Sequence, residues 1–256
     1  MNVALIFAGG VGSRMGTKIA PKQFLNIDGR TILAHTIKNF EENHFIDAII
    51  VVLLEKYIKM SEMIFQNENF TKIKAIVPGG KTGQESIYRG LLKIEELYPG
   101  DSTIVLIHDG VRPVIESDLI ERNIRSVKAY RSAISAVPAK ETIVEAPDTK
   151  NITGIIDRNK VWIARAPQSF YLNDVLNAHQ KANAAQDESV IDSCSMMQKY
   201  APKQQLKIVE TIYDNIKVTT PMDYYLVKSI IEAQKNHYSI DGFINPLFKE
   251  SSTSNE

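Results

Sequence analysis

One cysteine, Cys194, stands in a chain of 256 residues. A lone thiol excludes an intramolecular disulfide and any zinc site built on cysteines, and it suits a reducing compartment. Neither sign of charge is in excess, since 30 Lys and Arg meet 30 Asp and Glu. Nucleic-acid binders usually carry a basic surplus, so no nucleic-acid partner is expected. A local basic cluster can still serve a small anionic ligand. No apolar run reaches the ~20 residues of a membrane span, and no charged and apolar leader precedes the first strand-like run. The expectation is therefore a cytoplasmic protein with no membrane partner. Internal repeats are also lacking, and the polar tail FKESSTSNE (248–256) has too little apolar content to order itself.

What is present is a core-forming chain, 44% hydrophobic. Short apolar runs at 3–8, 48–54, 72–77, 102–108 and 132–139 read as strands covered on both faces. Helical periodicity fills 31–42, 56–67, 84–97 and 117–130, with Thr31 placed as an N-cap. This alternation predicts a doubly wound, mostly parallel α/β sheet of Rossmann-like type. After residue 139 it breaks. ETIVEA, NITGIID and KVWIARAPQSF are three extended segments in succession, read as an arm leaving the main sheet. Helices are expected again at 171–185 and 189–200. A late strand, QLKIVE, leads to YDNIKVTTP, where Asp214 and Lys217 fall in a short strand, and then to a helix from Pro221 to about Gln234. Pro at a helix start loses nothing, because its missing N–H has no partner there.

The stretch FAGGVGSRMGTKIAPKQF (7–24) joins the first strand to a glycine turn and then to Arg14, Lys18 and Lys22. A dinucleotide fingerprint needs G-x-G-x-x-G; Gly10 and Gly12 fit, but Met15 takes the third place. No frame matches the Walker loop. What remains is a turn whose backbone N–H groups can approach phosphates, followed by side-chain cations suited to the same oxygens. IHDGVRP (107–113) ends a strand with Asp109, where doubly wound sheets bind ligands. That carboxylate could meet Mg2+, or it could pair with Arg112. PGGKTGQES (78–86) is a second glycine loop ahead of a helix.

Taken in order, AGGVGSRMG…PKQF, PGG…S, HDGVRP, ETIVE, IIDRNKVW…PQSF and DNIKVTTP resemble the cytidylyltransferases that make CDP-methylerythritol or CDP-ribitol. The resemblance runs from residue 3 to about 234. It implies one cytidylyltransferase domain over 1–236, an arm at about 140–165 and a partly disordered tail at 237–256. It implies that an alditol phosphate oxygen attacks the α-phosphorus of CTP and pyrophosphate leaves. By motif match, Arg14, Lys22 and Lys217 stabilise the transition state. Ala8, Gly9 and Gly10 cradle CTP, Gly80 and Ser86 recognise cytosine, and Asp109 and Gly110 lie beside ribose and phosphates. The resemblance also implies Mg2+ bridging the CTP phosphates. It implies further that the arm exchanges within a homodimer, so that Thr142 and Arg158 would reach the neighbour's acceptor.

The acceptor is the point of departure. The methylerythritol enzymes carry Thr before Pro-Gln and a TDEAS-like stretch. This chain has Arg165 and Ala166 before Pro167, and VIDSCS with Ile191 where their Thr stands. Their second glycine loop usually holds an Arg that GGKTGQES lacks. Two lost hydroxyls change the bonds available to a polyol, and Arg165 adds a cation for a phosphate. Arg112 joins Thr142, Arg158 and Arg165 as a candidate acceptor contact. HDGVRP is similar to the HDAVRP of the ribitol phosphate enzymes, although those also keep Thr-Pro-Gln. Ribitol 5-phosphate for a surface polymer is the favoured acceptor, with methylerythritol 4-phosphate as the alternative. A non-catalytic nucleotide-binding protein also stays open.

Overall fold

A computed structural model describes residues 1–9, 21–148 and 150–236. Gly10, Arg14 and the tail at 237–256 therefore lie outside the described residues. The chain opens with β1 (Asn2–Ala8), and the described residues resume at Pro21, ahead of a small hairpin of β2 (Asn26–Ile27) and β3 (Arg30–Thr31). Asp28 and Gly29 make its turn, both at positive φ. There follow α1 (Ile32–Glu41), β4 (Ala48–Leu53), α2 (Ile58–Asn67), β5 (Ile73–Pro78), α3 (Gly83–Leu97), β6 (Ile104–Asp109), α4 (Leu119–Tyr130) and β7 (Ser132–Pro138). The arm strands β8 (Ile143–Glu145) and β9 (Gly154–Ile156) come next. The chain then runs through β10 (Trp162–Tyr171), α5 (Leu172–Ala184), α6 (Ser193–Tyr200), β11 (Ile208–Glu210) and α7 (Pro221–Lys235).

Seven strands form one sheet in the order β11-β7-β10-β6-β1-β4-β5. All pair in parallel except β10, which lies antiparallel between β6 and β7. The doubly wound α/β expectation therefore holds. Every residue of β4 and β6 is buried, as strands covered on both faces should be. Alternate residues of β1 feed opposite cores. Val3 and Leu5 pack with Ile87, Leu91 and Val175 of α3 and α5, whereas Ala4 and Ile6 pack with Leu33, Ile37 and Ile124 of α1 and α4. A third cluster seats α7 through Val227 against Ile27, Val111 and Val218. No helix among the described residues is long and apolar enough to cross a membrane.

Thr31 caps α1, its hydroxyl accepting from the Ala34 N–H at 3.2 Å. Three expectations are corrected. The third extended segment does not leave the sheet with the arm; β8 and β9 alone form a two-stranded ribbon, and β10 returns to the sheet centre because its apolar residues fill the gap between β6 and β7. The helix expected over 189–200 starts only at Ser193, where Asp192 and Ser195 close a reciprocal capping box. YDNIKVTTP is not a strand. Lys217 lies in an extended connection held by the Val218 N–H to Val111 carbonyl bond at 2.9 Å.

Candidate active site

The connections after β1, β5 and β6 converge at the carboxyl edge of the sheet, where open α/β folds bind ligands. Their close approach depends on glycine. The Gly110 N–H donates to the Phe7 carbonyl at 2.9 Å, and a Cβ on Gly110 would stand 2.8 Å from that of Ala8. A Cβ on Gly9 would stand 3.0 Å from the Ser86 hydroxyl. Ser86 is buried and works twice: its hydroxyl accepts from the Gly80 N–H at 3.0 Å and donates to the Thr82 carbonyl at 2.8 Å. Thus Ala8, Gly9, Gly80, Ser86 and Gly110, drawn from three separate loops, are neighbours. Gln23, which the sequence reading passed over, is buried beside them and donates to the Ala8 carbonyl at 2.8 Å. It holds the short 3-10 turn of Lys22–Phe24 to the end of β1, and so sets where Lys22 emerges.

Asp109 ends β6 and is buried. One carboxylate oxygen accepts from Arg112 Nε at 2.8 Å, and the other pairs with Lys217 Nζ at 2.5 Å. Arg112 also donates to the Asn215 carbonyl at 2.9 Å, and the Asn215 amide donates to the Ala166 carbonyl at 2.6 Å. A single relay therefore ties β6, the 214–218 connection and β10 together. Burial by itself would raise the Asp109 pKa, but the charges and hydrogen bonds of Arg112 and Lys217 outweigh it and hold the carboxyl at about 2. His108 lies wholly buried behind this group against Phe40, its Nε2 3.0 Å from the Arg112 carbonyl. Burial lowers it to about 4, so it is neutral at pH 7.

A cleft of about 200 Å³ opens in front of the relay, lined by Asp109, Arg112, Lys217 and the bulge of β10. Between Ala164 and Gln168 the strand slips against β7, so that Arg165, Ala166 and Pro167 stand opposite Ser135 alone. This irregularity turns Arg165 into the cleft. Its Nε is buried without a partner, and burial, then the Arg112 charge, lowers its pKa. The cleft thus carries three cations, Arg112, Arg165 and Lys217, against two carboxylates, Asp109 and Asp192. Asp192 is turned to the start of α6, where Ser195 and Gln168 donate to it. Two guanidiniums and an ammonium, one with an unused donor, are a receptor for a phosphate.

Thr142 and Arg158 do not line this cleft. Both are exposed on the arm, and Arg158 donates to the Lys140 carbonyl at 3.0 Å. Among the described residues no group of three His, Cys, Asp or Glu side chains could hold a metal ion. Both oxygens of Asp109 are engaged by cations, so its carboxylate does not fit a direct role as a Mg2+ ligand. Asn215 and Gln168 were not read as site residues. Their amide partners are backbone groups and a carboxylate distant in sequence, which spacing does not reveal.

The family model for 2-C-methyl-D-erythritol 4-phosphate cytidylyltransferase, IspD, matches residues 2–233. The chain belongs to this cytidylyltransferase family. Within it, a ribitol-5-phosphate cytidylyltransferase of Streptococcus agalactiae serotype III is 46% identical over 236 residues, covering 92% of this chain and 98% of the relative. A 2-C-methyl-D-erythritol 4-phosphate cytidylyltransferase of Desulforamulus reducens is 36% identical, covering 90% and 95%. The 4-diphosphocytidyl-2C-methyl-D-erythritol synthase structure from Anaerococcus prevotii superposes with a TM-score of 0.78 at 25% identity, covering 90% and 96%. The cytidylyltransferase fold accounts for the mostly parallel sheet with one antiparallel strand inserted.

Proposed function

We propose that the protein transfers a cytidylyl group from CTP to ribitol 5-phosphate, releasing pyrophosphate and CDP-ribitol. The observation that carries this reading is the cation-lined cleft at the end of β6, in a chain 46% identical to ribitol-5-phosphate cytidylyltransferases. A phosphate monoester is already an anionic nucleophile, so the reaction needs alignment and charge stabilisation rather than a strong base. Arg112 and Arg165 orient the acceptor phosphate. Lys217, fixed by Asp109, lies where the attacking and transferred phosphates meet. Lys22, with Arg14, stabilises charge on the triphosphate. Gly80 and Ser86 face the base, while Ala8, Gly9 and Gly10 follow the phosphates and Gly110 keeps the loops close. Mg2+ bound with CTP would offset phosphate charge; Asp109, engaged by Arg112 and Lys217, would not be its direct ligand.

The arm completes the proposal. Ile152 and Ile155 on it are 65% and 73% exposed, and a two-stranded ribbon has little stability by itself. Docking on a second copy would cover these side chains and carry Thr142 and Arg158 toward the neighbouring cleft, in a homodimer. A cytoplasmic setting supplies CTP and suits the single thiol, and the product suits a surface polymer.

Pyrophosphate release with CTP and Mg2+ tests the function. A large kcat/KM preference for ribitol 5-phosphate is expected. A preference for methylerythritol 4-phosphate, the substrate named by the family model, would overturn the acceptor assignment. CTP binding without turnover of either would overturn the enzyme reading.

A further inference from the structure

A second chamber of about 400 Å³ adjoins the cleft, and Gly83, Gln84 and Ile191 line both. It lies between the start of α3 and the face of α5. Its wall includes His179, which is 1% exposed, stacked against Tyr88 at 5.8 Å between ring centroids, with Nε2 buried and unpartnered. Gln84, in the wall shared with the cleft, has a buried and unpartnered Oε1. A buried polar atom with no partner is costly, and here two side chains that line one chamber each hold such an atom, in a chamber that adjoins the proposed acceptor site.

The charges around the chamber do not favour an anion. Lys81, Glu85, Asp187 and Glu188 line it. Glu85 is engaged by Arg89 and the Lys81 N–H; Asp187 by Lys199, Ser189 and Tyr200. Burial lowers the His179 pKa to about 4, so the imidazole is neutral in the working range and can donate or accept. A neutral imidazole and an amide oxygen match hydroxyl groups.

We propose that this chamber receives the hydroxyl-bearing end of the acceptor remote from its phosphate, with His179 Nε2 and Gln84 Oε1 bonding its hydroxyls. The proposal rests on the alditol phosphate reading above and adds a selection by chain length. Arg112 and Arg165 hold the phosphate of any acceptor, but only a long enough alditol passes Gln84 and Ile191 to gain the further bonds.

The test is a series of alditol phosphates from three to six carbons, assayed by pyrophosphate release with wild-type protein and His179→Phe, which keeps a ring against Tyr88. Each neutral hydrogen bond lost should lower kcat/KM for the five-carbon acceptor about 3- to 10-fold. The shortest acceptor turned over should stay within about twofold, and the KM for CTP should not move. Gln84→Met should reduce the same length preference. Equal losses on short and long acceptors, or no loss on either, would overturn the proposal while leaving the enzyme reading intact. Absence of turnover of every alditol phosphate by wild-type protein would overturn the enzyme reading and this proposal with it. Imidazole 15N spectra of wild-type protein need no variant: the His179 Nε2 signal should shift with ribitol 5-phosphate and not with glycerol 3-phosphate. A signal that stays fixed while ribitol 5-phosphate binds would overturn the assignment of His179.

Discussion

Asp109 is held between Arg112 and Lys217, and its titration follows from that. Its carboxyl lies at about 2, below the ordinary 3.8, so the folded chain takes up this proton less readily than the unfolded chain. The resulting stability is present in full above about pH 4 and is lost as pH falls toward 2, with a magnitude of about 2 kcal/mol. Asp109→Asn should flatten that acid limb in urea unfolding measured across this range. At neutral pH it should cost about 3–5 kcal/mol, because it leaves buried Arg112 without its counter-charge. An unchanged slope between pH 4 and 2 would assign the acid sensitivity elsewhere. Lys22→Ala tests the proposed chemistry instead. The loss of one transition-state donor should lower kcat about 10²–10³-fold, and retention of activity within a few-fold would remove Lys22 from the mechanism. At this scale the sequence was informative wherever a residue type implies a chemistry. Arg165 is unusual in its motif, and the cleft does contain it. Gln23 and Asn215 were illegible because an amide bonds equally well to any backbone carbonyl, and the partners here, Ala8 and Ala166, are chosen by the fold.

Elements were legible when their own periodicity decided them. The buried runs of β1, β4 and β6 follow directly from apolar continuity, and α1 follows from its stripe and the Thr31 cap. Strand β10 was recognised as extended but misplaced, since its apolar pattern satisfies an arm or a sheet equally; insertion between β6 and β7 depends on what else fills that gap. Asp192 made the start of α6 readable in principle, through a carboxylate followed three residues later by Ser195. Close packing between elements is less visible still. In α3, a Cβ on Gly90 would stand 2.3 Å from Leu5 Cδ1 and 2.9 Å from Val52 Cγ2. Helix propensity favours Ala over Gly by about 1 kcal/mol, but the collision with β1 and β4 costs about 1–3 kcal/mol. Gly90→Ala should therefore lower the unfolding midpoint despite the better helix former. A raised midpoint would mean that Leu5 and Val52 yield freely and that α3 is not held tightly to the sheet.

At the scale of the molecule, Lys22 and Arg158 lie on different parts of the chain. Lys22 follows the end of β1, whereas exposed Arg158 is tied to Lys140 on the arm. If each cleft takes its arm residues from the second copy, the two functions can be separated between protomers. On the proposed reading, in which Arg158 meets the acceptor phosphate, Arg158→Ala should mainly raise KM for the acceptor. Mixed with Lys22→Ala protein, it should regain activity. A heterodimer has one cleft with both native residues and one with neither, and random pairing of equal amounts makes half the dimers mixed, so about a quarter of wild-type activity should return. Ile155→Lys in both chains should abolish this recovery, because a charge on the apolar ribbon opposes docking, and sedimentation should report the lost association. Recovery absent while sedimentation shows mixed dimers would mean that each cleft is complete within one protomer. Arg158 would then act only through its bond to Lys140, and the exposed isoleucines of the arm would serve assembly without contributing to the chemistry.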